Sequence, residues 1–163
     1  MKKLIGIIAI LTIIFIYGCS KQPSSIKAKQ DGKPLIVMYG DFKCPYCKKV
    51  EDKVMPKLRN KYIDKNKVKF QYVNLAFIGK DSIIGSRAQQ AVNHYAPKYS
   101  LQFQKLMFEH QKDEDKKWIT HTLIDKQIDK LNISNKTKDK IKTNYKTKNS
   151  TSWKAAEKDK KLG

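Results

Sequence analysis

Two cysteines separated by two residues, placed just after a short apolar segment, constrain the fold of this chain more than any other feature. The apolar, partly β-branched segment spans residues 34–39 and ends at Gly40, a pattern typical of a buried strand. Cys44 and Cys47 follow, and Pro45 lies where a helix can begin without losing a hydrogen bond. The sequence therefore predicts a strand, a short loop carrying a dithiol, and a helix that begins at the dithiol.

The helix after Cys44 is predicted to bury one apolar stripe. Val50, Val54, Leu58 and Tyr62 recur at four-residue steps, which is the spacing of one helical face. We expect a kink at Pro56, because proline cannot donate a backbone hydrogen bond.

A second strand is predicted over residues 68–75, where polar and apolar residues alternate before the segment becomes apolar. Strand, helix and strand in one sheet form a right-handed βαβ unit. From Ser82 onward the apolar periodicity is helical, with N-caps predicted at Ser100, at Ser134 and within residues 150–152. These elements predict an α/β fold whose second half is helical.

The N-terminal 18 residues are predicted to be a targeting signal outside the fold. A basic start precedes an uncharged apolar run over residues 4–17, which is too short to span a bilayer comfortably and suits a signal peptide. The run ends at Gly18-Cys19, which resembles a bacterial lipobox. We therefore predict a lipoprotein signal peptide over residues 1–18, lipid attachment at Cys19 and a flexible tether over residues 19–33. An uncleaved anchor with an incidental cysteine is the alternative.

The strong positive charge does not by itself indicate nucleic-acid binding. The formal net charge is +20, from 35 Lys and Arg against 15 Asp and Glu. The lysines after residue 112 follow helical patterns and lack the interleaved aromatic residues of a strand-binding surface. A solvated basic surface near anionic lipid and wall polymers is therefore favoured over nucleic-acid binding.

The dithiol itself favours redox chemistry. At a helix start the sulfur of Cys44 faces free backbone N–H groups and the positive end of the helix dipole, which favours its thiolate, while Cys47 lies one turn further in. A structural disulfide closing so small a loop would add little stability. Zinc would need about four ligands, and only three scattered histidines accompany the cysteine pair. No metal site is therefore predicted.

Residues 35–47 resemble the first strand and active-site loop of the thioredoxin superfamily, in its DsbA-like branch of exported thiol:disulfide oxidoreductases. The helical stretch from residue 82 resembles the helical insertion of that branch. The resemblance implies a thioredoxin-like α/β domain over residues 34–163, with the insertion at about 82–163. It also assigns a role to each residue of the motif. Those residues are Cys44 as nucleophile, Cys47 as resolving cysteine, Pro45 and Tyr46 as the dipeptide that tunes the redox potential, and Phe42 as a shield for the sulfurs, with core packing as its alternative.

The implied function is an extracytoplasmic, lipid-anchored oxidase that donates the Cys44–Cys47 disulfide to reduced exported proteins. This oxidase would use the Cys44–Cys47 disulfide and no other cofactor. It would need an unidentified reoxidant, would contact the membrane through Cys19 and would bind no nucleic acid. Two alternatives stay open: a reductase or isomerase of the same fold, and a non-catalytic basic surface lipoprotein that binds anionic envelope polymer.

The C-terminal part departs from the family pattern. The family closes its site with a cis-proline loop, an antiparallel hairpin and a final helix, whereas the last proline here is Pro97 and nothing after Trp153 reads as a strand. We therefore expect a C-terminally truncated member with an incomplete sheet. Such a chain would expose a sheet edge and the apolar face of the helix from Cys44, with weak stability and impaired activity.

Overall fold

A computed structural model describes residues 29–163, in which one three-stranded sheet lies beside a set of helices. The predicted signal peptide and the lipid attachment at Cys19 lie outside these residues. The strands pair in the order β1-β2-β3. They are β1 (Lys29–Gln30), β2 (Lys33–Gly40) and β3 (Lys69–Asn74).

Strands β2 and β3 are parallel and form the predicted βαβ arrangement. The pairing runs from Leu35 opposite Lys69 to Gly40 opposite Asn74. Both predicted strands are confirmed to within one residue at each end.

The short strand β1 corrects the prediction of a flexible tether up to residue 33. Lys29 and Gln30 pair antiparallel with the start of β2, so residues 29–33 belong to the folded part. Asp31 and Gly32 have φ angles of 51° and 72°, which suits a type I′ hairpin turn. Asp-Gly is a frequent sequence for this turn, so the sequence did contain the signal.

All elements after β3 within the described residues are helical, as predicted. Ser134 and Ser150 are N-caps, as predicted, whereas Ser100 is the first helical residue and its hydroxyl donates to Asn93 instead. No helix within residues 29–163 is long and apolar enough to cross a membrane. The α-helices are α1 (Pro45–Lys53), α2 (Met55–Leu58), α3 (Ser82–Tyr95), α4 (Ser100–Glu109), α5 (His121–Asp129), α6 (Asn135–Lys146) and α7 (Thr151–Lys160), with a π-helical turn at Arg59–Ile63 and a 3₁₀ turn at Pro97–Tyr99.

The hydrophobic core joins the inner part of the sheet to the later helices. Tyr72 of β3 packs in one buried cluster with residues of α3, α4, α5 and α6. Ala88, Ala91 and Val92 form the buried face of α3, and none of them is exposed to solvent. The helices therefore contact the sheet mainly through β3.

The predicted buried stripe on α1 and its continuation is wrong. Val50, Val54 and Tyr62 are 36%, 52% and 44% exposed, whereas Glu51 and Met55 are buried. The helix also breaks at the predicted place, since α1 ends just before α2 and its Pro56.

A buried polar contact explains the orientation of α1. The Glu51 carboxylate accepts hydrogen bonds from Arg59 Nη2 at 2.6 Å and from Gln104 Nε2 of α4 at 2.8 Å. Burial raises the pKa of Glu51, and the Arg59 charge and the Gln104 bond oppose this shift. The carboxylate turns towards α4, so Val50 and Val54 point away from the core.

Candidate active site

The dithiol lies at the first turn of α1, where the sequence predicted it. Cys44 is the N-cap in an extended conformation (φ −70°, ψ 116°), and Pro45 is the first residue of the helix. The Cys44 Sγ accepts a hydrogen bond from the Cys47 backbone N–H, with an N···S distance of 3.4 Å. Both cysteines are free thiols and partly buried. The first sulfur is thus held at the positive end of the helix dipole.

Cys47 sits against the end of β2. A methyl group on the α-carbon of Gly40 would lie 2.8 Å from Cys47 Sγ, so a larger residue at this strand end would displace the sulfur. Burial raises the pKa of Cys47 to about 12, although a hydrogen bond from the Asp41 backbone N–H acts to lower it. Cys47 is therefore protonated at neutral pH in the reduced protein.

The residues around the motif divide between core and solvent. Phe42 is fully buried, and its ring centroid lies 5.3 Å from those of both Tyr72 and Phe108. This is the core packing that the sequence left as an alternative to sulfur shielding. Tyr46 is 73% exposed, and Lys49 Nζ lies 4.8 Å from its ring centroid. The Pro45-Tyr46 dipeptide is thus presented to solvent.

A buried carboxylate holds the loop that precedes the dithiol. Asp41 is fully buried. Its Oδ1 accepts hydrogen bonds from the Lys43 backbone N–H at 2.9 Å and from Ser82 Oγ at 2.6 Å, and its Oδ2 accepts from the Ile78 N–H at 2.8 Å. Three donors thus satisfy the charge and join the loop to the start of α3.

A second buried pair ties the same loop to the segment before α5. Lys43 Nζ lies 3.0 Å from Asp81 Oδ1, and each side chain is 3% exposed. Asp81 Oδ2 accepts hydrogen bonds from the backbone N–H groups of Trp118 at 3.0 Å and Ile119 at 2.9 Å. Burial acts to raise the pKa of Asp81, but these hydrogen bonds and the Lys43 ammonium hold it below its usual value.

The segment after α4 completes the wall beside the dithiol. Gln111 Nε2 donates hydrogen bonds to the carbonyl oxygens of Phe42 at 2.6 Å and Cys44 at 3.0 Å. An open cleft of about 670 Å³ lies between Pro45 and this segment, and its walls carry both lysines and acidic residues. The cleft thus begins at Pro45, the residue that follows Cys44.

The polar residues that support the loop were missed by the sequence analysis. Asp41 and Lys43 flank the predicted motif, but no periodic pattern indicated that these charges are buried. Asp81 and Gln111 are distant along the chain and carry no recognisable spacing to the dithiol. Within residues 29–163 no group of three or more His, Cys, Asp and Glu side chains could hold a metal ion.

Comparison with known families gives one match over most of the chain. Residues 26–162 match the family model described as Thioredoxin. Disulfide bond formation protein D of Bacillus subtilis is 36% identical over 109 residues, which is 64% of this chain and 49% of that protein. A probable disulfide bond formation protein D of Bacillus cereus is 38% identical over 96 residues, or 59% of this chain and 44% of that protein. The chain spans about half the length of these relatives.

Solved structures show the same fold. The oxidised BdbD of Bacillus subtilis superposes with a TM-score of 0.69 at 32% identity, over 82% of this chain and 71% of that one. DsbA of Chlamydia trachomatis gives a TM-score of 0.63 at 17% identity, over 83% of this chain and 71% of that one. The second likeness shows the fold alone.

Proposed function

Since residues 26–162 match the thioredoxin model, the chain belongs to the thioredoxin family, and we propose that it is a DsbA-like thiol:disulfide oxidoreductase. The proposed reaction is donation of the Cys44–Cys47 disulfide to reduced exported proteins. The observation that carries the proposal is the position of Cys44 Sγ at the N-cap of α1, where it accepts the Cys47 N–H. That position places the sulfur at the positive end of the helix dipole, where it can be attacked in disulfide exchange and can leave again when the mixed disulfide is resolved.

The two sulfurs are suited to different parts of the exchange. A substrate thiolate attacks Cys44 Sγ, the Cys44–Cys47 bond breaks, and Cys47 leaves with the electron pair and takes up a proton. The high pKa of Cys47, about 12, favours that proton uptake. A second substrate thiolate then attacks the substrate sulfur of the mixed disulfide, which releases Cys44 as a thiolate and oxidises the substrate. The protein disulfide accepts the two electrons, so the reaction needs no further cofactor.

The setting of the reaction is also proposed. We place the domain outside the cytoplasm, tethered by a lipid on Cys19, where reduced exported proteins are its substrates. The reduced dithiol is then reoxidised by a quinone-linked membrane protein or a small-molecule oxidant. The names of the Bacillus relatives refer to disulfide bond formation and support the oxidation of protein thiols as the reaction.

The direct test is disulfide transfer to a reduced test protein. The oxidised chain should oxidise that protein, and Cys44→Ser should abolish transfer because the Cys44–Cys47 disulfide can no longer form. Cys47→Ser, incubated with the test protein in its disulfide form, should instead accumulate a mixed disulfide through Cys44, because Cys44 displaces one sulfur of that disulfide and no resolving thiol remains beside it; non-reducing electrophoresis and mass spectrometry detect this product. A wild-type chain that gives no transfer and no mixed disulfide, yet binds anionic polymer, would support the alternative of a binding lipoprotein.

The redox potential decides the direction of transfer. Equilibration with glutathione should give a value near that of DsbA, about −120 mV, for an oxidase. A value near that of thioredoxin, about −270 mV, would reverse the proposed direction.

A further inference from the structure

Tyr72 of β3 carries a buried hydroxyl that no described residue satisfies. The side chain is 2% exposed, and its ring packs 5.3 Å from Phe42 and 5.9 Å from Phe108, measured between centroids. The hydroxyl oxygen has no hydrogen-bond partner within residues 29–163. A buried hydroxyl without a partner costs free energy, and phenylalanine would fill the same volume without that cost.

The Tyr72 hydroxyl faces the same small space as the Cys47 sulfur. A methyl group built on Gly40 would lie 2.8 Å from Cys47 Sγ, 3.3 Å from Tyr72 Cε2 and 3.4 Å from Tyr72 Oη. The sulfur and the phenol oxygen therefore both border the space beside the Gly40 α-carbon. Because Gly40 has no side chain, nothing from that residue separates them.

The surroundings keep this phenol in its neutral form. Burial raises the pKa of Tyr72 well above its usual value, and the nearby groups of Cys47 and Asp41 add to the shift. Asp41 already accepts hydrogen bonds from three other donors. Tyr72 thus keeps its O–H at every pH at which disulfide exchange operates, and the O–H can act as a donor.

We propose that the Tyr72 hydroxyl is the hydrogen-bond donor that stabilises the Cys47 sulfur when the disulfide opens. This inference rests on the proposed disulfide exchange. As the substrate thiolate bonds to Cys44 Sγ, the S–S bond breaks and its electron pair moves to Cys47 Sγ. The Tyr72 O–H then donates a hydrogen bond to the departing thiolate and keeps its own proton, and water supplies the proton that Cys47 finally takes up. Hydrogen bonds to charged acceptors are stronger than those to neutral ones, so the contact favours the opened state.

Tyr72→Phe tests this role because it removes one oxygen and leaves the ring. Disulfide transfer to a reduced test protein should slow by roughly tenfold, the effect of one hydrogen bond to a charged group. Tyr145→Phe is the matched control, because Tyr145 is also fully buried but its hydroxyl bonds to Asp125 at 2.7 Å on α5. Transfer by that control should keep the wild-type rate.

A second measurement follows Cys47 without any turnover. In a Cys44→Ala background, the rate at which iodoacetamide alkylates Cys47 is measured from pH 8 to 10 by mass spectrometry. Loss of the donor should raise the pKa of Cys47 by about one unit, which slows alkylation roughly three- to fourfold after allowing for the greater nucleophilicity of the more basic thiolate.

The outcomes separate the two proposals. If the wild-type chain transfers no disulfide, the proposed function fails, and alkylation still decides the role of Tyr72. Equal alkylation and transfer rates for Tyr72→Phe and the wild type would overturn the inference.

Urea unfolding of Tyr72→Phe should show equal or greater stability, since an unpartnered oxygen is removed. Loss of folding would mean that the hydroxyl serves the structure, and would overturn the inference as well.

Discussion

At the scale of single residues, buried charges hold the loop that presents the dithiol. Asp41, Lys43 and Asp81 are each 4% exposed or less. Taking charges out of water is costly, and the cost is offset here because each carboxylate accepts several hydrogen bonds and Lys43 pairs with Asp81. These residues stabilise the loop without contacting a reacting atom through their side chains.

Lys43→Met should destabilise the chain by about 3–5 kcal/mol, because it leaves Asp81 buried without its counter-charge. The measurement is the free energy of urea unfolding. Lys48→Met is the matched control, since the Lys48–Asp52 pair is 34% and 50% exposed and a surface pair contributes about 1 kcal/mol or less. Equal losses in both variants would contradict the view that Lys43 is essential to the loop.

At the scale of elements, α1 shows how a polar contact can override an apolar pattern. Val50 of α1 and Val54, which follows α1, suit a buried face by spacing, yet Glu51 of α1 and Met55 of α2 are buried instead. The bonds from Arg59 and Gln104 to the Glu51 carboxylate make that orientation favourable. Where the signal is local, as for the caps Ser134 and Ser150, the prediction is confirmed.

Alanine substitutions on the two faces of this helical segment should differ sharply. Met55→Ala should cost about 2–5 kcal/mol, the range for removing a buried methionine side chain. Val54→Ala should change stability by about 0.5 kcal/mol or less, because Val54 is exposed. Both are measured by urea unfolding, and a loss at Val54 as large as that at Met55 would show that the helix buries its apolar face.

At the scale of the whole molecule, α7 packs against α3. The Arg87 guanidinium of α3 lies 3.1 Å from the Trp153 ring centroid of α7, and Arg87 Nη2 lies 2.9 Å from Glu157 Oε1. A further hydrogen bond joins Gln90 to Asp159. These contacts fasten α7 to α3 in a chain whose formal net charge of +20 disfavours compaction.

Because the net charge is so high, added salt should stabilise the protein. Screening weakens the self-repulsion of the folded chain, and the Debye length falls from about 30 Å at 0.01 M to about 10 Å at 0.1 M salt. We expect the midpoint of thermal unfolding to rise between these two NaCl concentrations. A neutral solute at equal osmolality is the control, and a midpoint that falls with NaCl would mean that the favourable ion pairs outweigh the repulsion.

Much of the site was predictable because the residues that present the dithiol follow one another closely along the chain. The strand, the dithiol and the helix start are set by residues within a few positions of each other, and the structure has them where the sequence predicts them. The Asp31-Gly32 turn is also a local signal, and the hairpin that it forms could have been predicted from the sequence. The supporting carboxylates could not be predicted, because a charged residue gives no sign of burial until its partners are known.

The amino-acid sequence was enough to predict the strand–helix–strand order, the caps at Ser134 and Ser150 and the position of Cys44 at a helix start, because backbone geometry and spacing of one to four residues decide these features. Only the folded structure shows which face of the α1–α2 segment is buried, which charges support the loop and that Tyr72 and Cys47 both lie close to Gly40. Those features depend on groups that are tens of residues apart along the chain. Their free energies arise only when folding removes them from water and places their partners within hydrogen-bond distance.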